Sequence, residues 1–503
     1  MKWISTFLTT CFVFTFSCTD SEGKSPTLAT QDTPRLITEG ITLHAERLGS
    51  QTGTLLVSNG IPFAPGTIPS TESLVLLDGT NEIATFIKPL AQWPDGSVRS
   101  ALVQFERSAE KFPATLTLKA NSSPTRPARA AAPIPRIPAA VAFPSADYLT
   151  STTALGRLLP AGRSELLPDP KHRETMDRYD RRQREGFDRL KGSDDWGPDA
   201  RLDGYYSTSL NWYLHFVRTG NLEVFGWARR ELLHYRDEQI VQSGPDAGKM
   251  NGRRETRYLY LRALEADYLL TGDPENLRVG KLMADYLLKA NPVDFFFFPK
   301  NGHKFWTERE AAFPLLGLMT YGRMSGETRY LDAVKPRMEN LLKTQNQYTD
   351  GGWIHNLYNH DTEECPDENA YGGSPFMTGL LFEALIAYHE WFQDPRMIES
   401  VKKAVDWLYR TAWLGQGFAY MTACGYQKGE GLLDDLQGPQ PDLNLLIVQG
   451  YGFAYWAGGK DPRYLEMGWD VFYKGVTFGN ILNRKQFNQA YRSSGPFLWY
   501  AAQ

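Results

Sequence analysis

Two rhythms of apolar and polar residues divide this chain. Between about Arg35 and Ala120 the apolar runs are short and punctuated by turn residues: Thr54-Leu55-Leu56-Val57, Ser73-Leu74-Val75-Leu76-Leu77 and Ser100-Ala101-Leu102-Val103-Gln104-Phe105. Such runs predict strands, with Asp78-Gly79 and Asp95-Gly96 as hairpin turns. From Tyr205 to Lys474 the spacing becomes helical. A mostly apolar helix, a short turn and an amphipathic helix recur five times. The turns are Thr219-Gly220-Asn221, Thr271-Gly272-Asp273-Pro274, Ser325-Gly326-Glu327, Gln393-Asp394-Pro395 and Gly459-Lys460-Asp461-Pro462. Glycine suits the end of the first helix because it accepts a left-handed conformation. Asp or Pro suits the start of the next, as a cap or at the first helical position.

The two helices of a pair differ. The second carries a one-sided stripe, as in Leu331, Val334, Met338, Leu341 or Ile398, Val401, Val405, Leu408. The first is apolar over more of its circumference, as in Tyr258, Leu261, Leu264, Tyr268, Leu269 or Met377, Leu380, Leu381, Leu385, Tyr388. Helices apolar all round are buried. The pattern predicts an (α/α) toroid, first helices inside and second helices outside. An open α-solenoid uses the same hairpins but more uniform repeats.

The expected chain is therefore an α+β multidomain protein. A small N-terminal β-barrel or sandwich over residues 33–120 precedes a large all-α (α/α) toroid over residues 171–503. Between them, residues 121–170 include Pro124, Pro127, Pro133, Pro135 and Pro138, the composition of a stiff linker. Lys171 to Lys191 is highly charged and is expected to be a solvated helix or loop wrapping the toroid. Its acids, such as Glu174 and Asp177, argue against a nucleic-acid arm. The net charge of −4 and pI near 6.1 likewise leave no footprint for nucleic acid.

Lys2 followed by the apolar run Trp3 to Phe16 reads as an export signal. Cys18 follows Ser17 and precedes a polar tether, as in a bacterial lipoprotein, although Thr15 stands where the lipid-attachment motif favours Leu. The expectation is a signal ending at a lipidated Cys18 and a periplasmic or outer-membrane lipoprotein. Ordinary secretion and an uncleaved anchor are the alternatives. Cys365 and Cys424 both precede inner helices of successive hairpins, so both are expected on one rim, as a disulfide or as two thiols.

Within the β region, Val57-Ser58-Asn59-Gly60-Ile61-Pro62-Phe63 is followed by Pro65-Gly66, and later by Gln92-Trp93-Pro94-Asp95-Gly96-Ser97-Val98-Arg99. Together these strings resemble the N-terminal RIFT-type β-barrel domain of exo-rhamnogalacturonan lyases and their relatives, in which the β domain also precedes an (α/α) toroid. The resemblance covers about Gly53 to Phe105. Lyase-type members carry a further C-terminal β domain, whereas this sequence stops at Gln503. The resemblance implies a substrate class, acidic polysaccharide such as rhamnogalacturonan, and transfers no catalytic residue.

In a toroid, the segments leading into the inner helices gather at one mouth. A uronate lyase needs a cation for the C6 carboxylate, a base for the C5 proton and an acid for the leaving O4. Arg253, Arg254 and Arg309 can clamp a carboxylate. His303, His355, His360, Tyr358 and Tyr426 can supply base and acid, and Trp306 and Trp353 offer faces for a sugar ring. Arg309 can equally form a structural ion pair with Glu308 or Glu310. His355 and His360 with Asp361 and Glu364 can bind a divalent ion such as calcium; no cofactor is otherwise indicated. His215 and His389 read as structural. A glycoside hydrolase would use two carboxylates from Asp361, Glu363, Glu364, Asp367 and Glu368, with Glu310 or Asp442 opposite. Sugar epimerisation and a non-catalytic glycan-binding lipoprotein complete the alternatives.

Overall fold

The computed structural model describes residues 40–121, 129–193, 205–253, 255–298, 306–345, 349–357, 370–422 and 438–503. Its strands are β1 (Ile41–Arg47), β2 (Thr54–Pro62), β3 (Leu74–Asp78), β4 (Asn81–Glu82), β5 (Phe86–Gln92), β6 (Val98–Ser108), β7 (Ala114–Ala120) and β8 (Ala140–Phe143). They form one sheet in the order β4-β3-β7-β1-β8-β2-β6-β5. Both expected hairpin turns are present, Gly79 and Gly96 taking φ of 63° and 82°.

Alternation along β6 gives the sheet two apolar faces. Ala101, Val103 and Phe105 join a core that also holds Leu76 of β3 and Ile87 of β5. Strands near both edges thus share one core, and the sheet curls into a half-barrel. Leu102, pointing the other way, joins Leu90, Val141 and Phe143 in the core of the helical region. Among the described residues the edge strands β4 and β5 do not pair with each other. The barrel or sandwich expected from sequence is therefore an open half-barrel, and RIFT-type closure is not shown.

The expected linker over residues 121–170 is also corrected. Ala140-Val141-Ala142-Phe143 is buried throughout and enters the sheet as β8, antiparallel to β1 and parallel to β2. Asn59 pins it, its amide donating to the Ala142 carbonyl at 2.8 Å and accepting from the Ala142 N–H at 2.9 Å.

The helices are α1 (Ala146–Ser151), α2 (Pro170–Leu190), α3 (Thr208–Thr219), α4 (Leu222–His234), α5 (Leu261–Thr271), α6 (Glu275–Ala290), α7 (Glu308–Ser325), α8 (Thr328–Gln345), α9 (Pro375–Phe392), α10 (Arg396–Ala412), α11 (Asn444–Ala457), α12 (Pro462–Phe478), α13 (Arg484–Tyr491) and α14 (Gly495–Ala501). The expected caps are largely found. Gly220, Gly272 and Gly326 end inner helices at φ of 68°, 73° and 76°; at the fourth turn Gln393 takes this role at 55°. Asn221 and Asp461 accept from the N–H groups of Glu223 and Arg463, satisfying first-turn donors.

Inner helices α3, α5, α7, α9 and α11 pack successively, and α13 packs on both α11 and α3, so the array closes into a ring. α2 packs on α12 and α13. The charged segment expected to wrap as a solvated helix or loop is thus an outer member of a further, sixth pair, whose inner member is α13–α14. Met176, Tyr179, Phe187 and Leu190 form its buried face. The sequence could not show this pair as a hairpin, because its two halves lie at opposite ends of the helical region.

The sheet covers the end of the ring where the inner helices finish. Ser100 Oγ donates to the Leu269 carbonyl at 2.6 Å, and the Tyr268 hydroxyl donates to the Leu90 carbonyl at 3.0 Å. A Cβ on Gly60 of β2 would lie 2.1 Å from the Leu269 carbonyl oxygen, at backbone rather than at a side chain that can turn away. Gly60→Ala is expected to destabilise the protein by about 1–3 kcal/mol, because sheet and helix must separate. Urea unfolding measures this, and an unchanged midpoint would contradict the close approach.

Candidate functional site

The other end of the ring, where inner helices begin, collects the chemistry. Its backbone is unusual: consecutive non-glycine residues Tyr206 and Ser207 take φ of 74° and 71° just before α3. Such conformations cost free energy and persist where surroundings fix them. Here the Tyr206 N–H donates to the Tyr260 hydroxyl at 3.2 Å, and Arg492 donates to the Tyr206 carbonyl at 2.9 Å. The Ser207 side chain caps α3 by accepting from the Leu210 N–H.

This turn presents Tyr205 and Tyr206, their rings 4.4 Å apart and edge to face. Three cations approach the Tyr205 ring: Arg257 at 5.8 Å, Arg309 at 5.7 Å and Lys485 at 5.7 Å. They come from three separate places, a short 3-10 turn before α5, the first turn of α7 and the first turn of α13. Arg309 is only 5% exposed. Its Nη1 donates to the Tyr206 hydroxyl at 3.3 Å, and its Nε has no acceptor. Among the described residues it forms no ion pair with a carboxylate, so the expected alternative of a structural pair with Glu308 or Glu310 is not found.

Those neighbouring carboxylates are committed elsewhere. Glu310 accepts from Thr256 Oγ1 at 3.1 Å, and its other oxygen lies 3.7 Å from Arg257 Nε. Burial raises the Glu310 pKa despite the opposing charges of Arg309 and Arg257, favouring the neutral acid. Glu308 Oε2 lies 2.9 Å from His355 Nδ1, both side chains fully buried. His355 sits on a two-residue strand, His355–Asn356, paired with Tyr371–Gly372. Its ring has no exposed surface among the described residues.

The remaining expected residues divide into three groups. Arg253 lies at the opening, its guanidinium 5.2 Å from the Tyr258 ring. Neither tryptophan offers a stacking face. Trp306 is buried and stacks on Phe298 at 5.1 Å; Trp353 is completely buried, its indole donating to the Leu341 carbonyl at 3.0 Å. Their size and apolar surface placed them in the core, a preference that a loop position in sequence does not reveal. Arg254, His303, Tyr358, His360, Tyr426, Cys18, Cys365 and Cys424 lie outside the described residues, as do Asp361, Glu363, Glu364, Asp367 and Glu368. Among the described residues no group of three metal-ligating side chains occurs. Asp442 accepts from the Asn480 N–H at 2.6 Å in the turn before α13.

Sequence reasoning missed Tyr205, Tyr206, Arg257 and Lys485. A signal existed for the first three: Tyr205-Tyr206 and Arg257-Tyr258 precede inner helices, as Arg309 does. Lys485 belongs to the unrecognised sixth pair.

No protein-family model matches the sequence, and no curated protein does. Among solved structures the chain is similar to an unsaturated glucuronyl hydrolase from Streptococcus agalactiae, with 10% identity, coverage of 69% of this chain and 93% of that one, and a TM-score of 0.46. A polysaccharide lyase gives 10% identity, 65% and 96% coverage and a TM-score of 0.42. A D-mannose isomerase gives 15%, 64% and 95%, and 0.40. At these values the similarity is one of helical arrangement.

Proposed function

We propose that the opening at the helix starts binds a uronate-containing glycan and cleaves it by β-elimination. The observation that carries this reading is Arg309, a buried guanidinium with no carboxylate ion pair among the described residues and with two further cations around the same tyrosine ring. A buried charge without a counterion is costly unless a ligand supplies one. A sugar C6 carboxylate meets that need, since a guanidinium can hold it with two parallel hydrogen bonds.

Neutralising this carboxylate acidifies the C5 proton and stabilises the enolate formed when it leaves. In its phenolate form, its own proton having gone to solvent, the Tyr206 oxygen that accepts from Arg309 would take the C5 proton and return to the neutral phenol. Glu310, whose pKa burial raises, would protonate the departing O4. His355, held by Glu308, then serves as a positioning residue under the first turn of α7.

A second reading is hydrolysis, with Glu310, whose pKa burial and the nearby Glu255 charge raise, as general acid and Glu255, 3.4 Å from the Arg257 guanidinium, as the second carboxylate. Incubation with pectic and other acidic polysaccharides separates the two. Elimination generates the ultraviolet absorbance of an unsaturated uronate, whereas hydrolysis generates reducing ends without it. Retention on the glycan with neither signal would leave binding alone and sink both readings.

The same reading places the enzyme outside the cytoplasm, anchored through Cys18. Cys18→Ser is expected to move the mature protein from the membrane to the soluble fraction. An unprocessed wild type in the cytoplasm would overturn this placement. No helix among the described residues is long and apolar enough to cross a membrane.

A further inference from the structure

At the opposite end of the lumen, under the sheet, lies a cavity of about 120 Å³. Five arginines line it: Arg99 of β6, Arg157 after α1, Arg262 of α5, Arg323 of α7 and Arg492 just after α13. Three glutamates, Glu265, Glu383 and Glu390, share the wall. Arg99 and Arg323 divide one carboxylate, at 2.7 and 3.3 Å from the two oxygens of Glu265. Arg262 and Arg492 divide another, Glu383, at 2.9 and 2.8 Å. Arg157 takes Glu390 at 2.7 Å. The cavity wall therefore carries more guanidinium than carboxylate.

A network built only to fasten the sheet to the ring has no need of this surplus. Unbalanced buried charge is destabilising, and replacing it by apolar groups is often neutral or favourable. Within the wall, the buried Nε atoms of Arg99 and Arg323 have no acceptor. Burial lowers the Arg323 pKa; Glu265 opposes the shift, and the charges of Arg99 and Arg262 add to it. An added anion would relieve that strain. Trp93, with the Arg99 guanidinium 5.1 Å from its ring, and Trp391 are half-buried and line the same cavity.

We propose that this junction cavity is a second anion-binding site, separate from the opening around Tyr205, which takes the carboxylate or sulfate group of an acidic monosaccharide unit. The anion would sit against Arg323 and Arg99, with the sugar toward Trp93 and Trp391. The site draws residues from both sheet and ring, so occupancy would also tie the two parts together.

Calorimetric titration of the full chain with glucuronate, inorganic sulfate and glucose tests this. Glucuronate is expected to bind at least about tenfold more tightly than glucose, and sulfate to compete with it. Arg323→Gln, which removes one of the surplus cations, is expected to weaken glucuronate about tenfold or more. Trp93→Ala, at the half-buried edge, is expected to weaken glucuronate but not sulfate, and it keeps the proposal testable if Arg323→Gln fails to fold. Arg309→Gln, at the other opening, separates the sites: glucuronate binding that survives it supports the junction cavity. Binding no tighter than glucose in the wild type, binding lost only in Arg309→Gln, or binding unchanged in the cavity variants would overturn the proposal.

Discussion

Arg309→Gln is expected to lower kcat/KM on a cleaved acidic glycan by about 10²–10³-fold or more while leaving the fold intact. The substitution keeps most of the side-chain volume and a donor toward Tyr206, but removes the charge that would neutralise the uronate. The loss should fall mainly in kcat, because the demand on the guanidinium grows as negative charge moves onto the carboxylate during proton removal. Stability should hold or rise slightly, since Arg309 has no carboxylate ion pair to lose among the described residues. Turnover near wild type, with unchanged circular dichroism, would leave the elimination reading without its central cation.

Glu383→Gln is expected to act the other way round, on stability first. This carboxylate is buried on α9 and receives Arg492 at 2.8 and 3.2 Å, Arg262 at 2.9 Å and Ser493 Oγ at 3.0 Å. Neutralising it leaves two guanidiniums in the ring without their counterion. Breaking a buried pair from one side costs about 3–5 kcal/mol, in contrast to replacing a whole pair by apolar groups. A loss of that size should appear as a lower urea midpoint with little change in slope. A shift worth less than about 1 kcal/mol would show that the lumen network is far more solvated than its geometry indicates. Arg492 also holds the Tyr206 carbonyl at 2.9 Å, so the variant should disturb the strained turn at the far opening. Activity is then expected to fall with stability, although Glu383 lies deep in the ring.

Much of the architecture was legible because local chemistry and tertiary position agree in the hairpins. Gly220, Gly272 and Gly326 end helices in the sequence and do so in the ring, and the Leu331 to Leu341 stripe faces inward as its spacing requires. Three features were hidden. α2 is so rich in charge that its narrow apolar face, Met176, Tyr179 and Phe187, gives a weak signal. α13–α14, its inner partner, lies about three hundred residues on, and no local period links the two. The short run Ala140–Phe143 sits amid prolines, so composition favoured a linker over a strand.

The site was less legible than the fold. Segments before the inner helices were the right place to look for Arg253 and Arg309, since ring topology gathers them. Which aromatic faces the opening is another matter. Trp306 and Trp353 stand in equally polar stretches of sequence, yet packing takes both inside. Tyr205 and Tyr206 are neighbours that a backbone turn with positive φ swings into the centre. Nothing in the residue types alone announces such a turn, because glycine is absent from it.

Strand β8 changes what counts as a self-sufficient piece of this chain. A fragment ending at Ala120 would hold seven strands but lack the one that lies between β1 and β2. It would fall into two unconnected ribbons, β4-β3-β7-β1 and β2-β6-β5, each with a bare edge ready to pair with another molecule. The Asn59 amide would face empty space where the Ala142 backbone belongs. During synthesis the eight-stranded sheet is therefore expected to be completed only after Phe143 has been made.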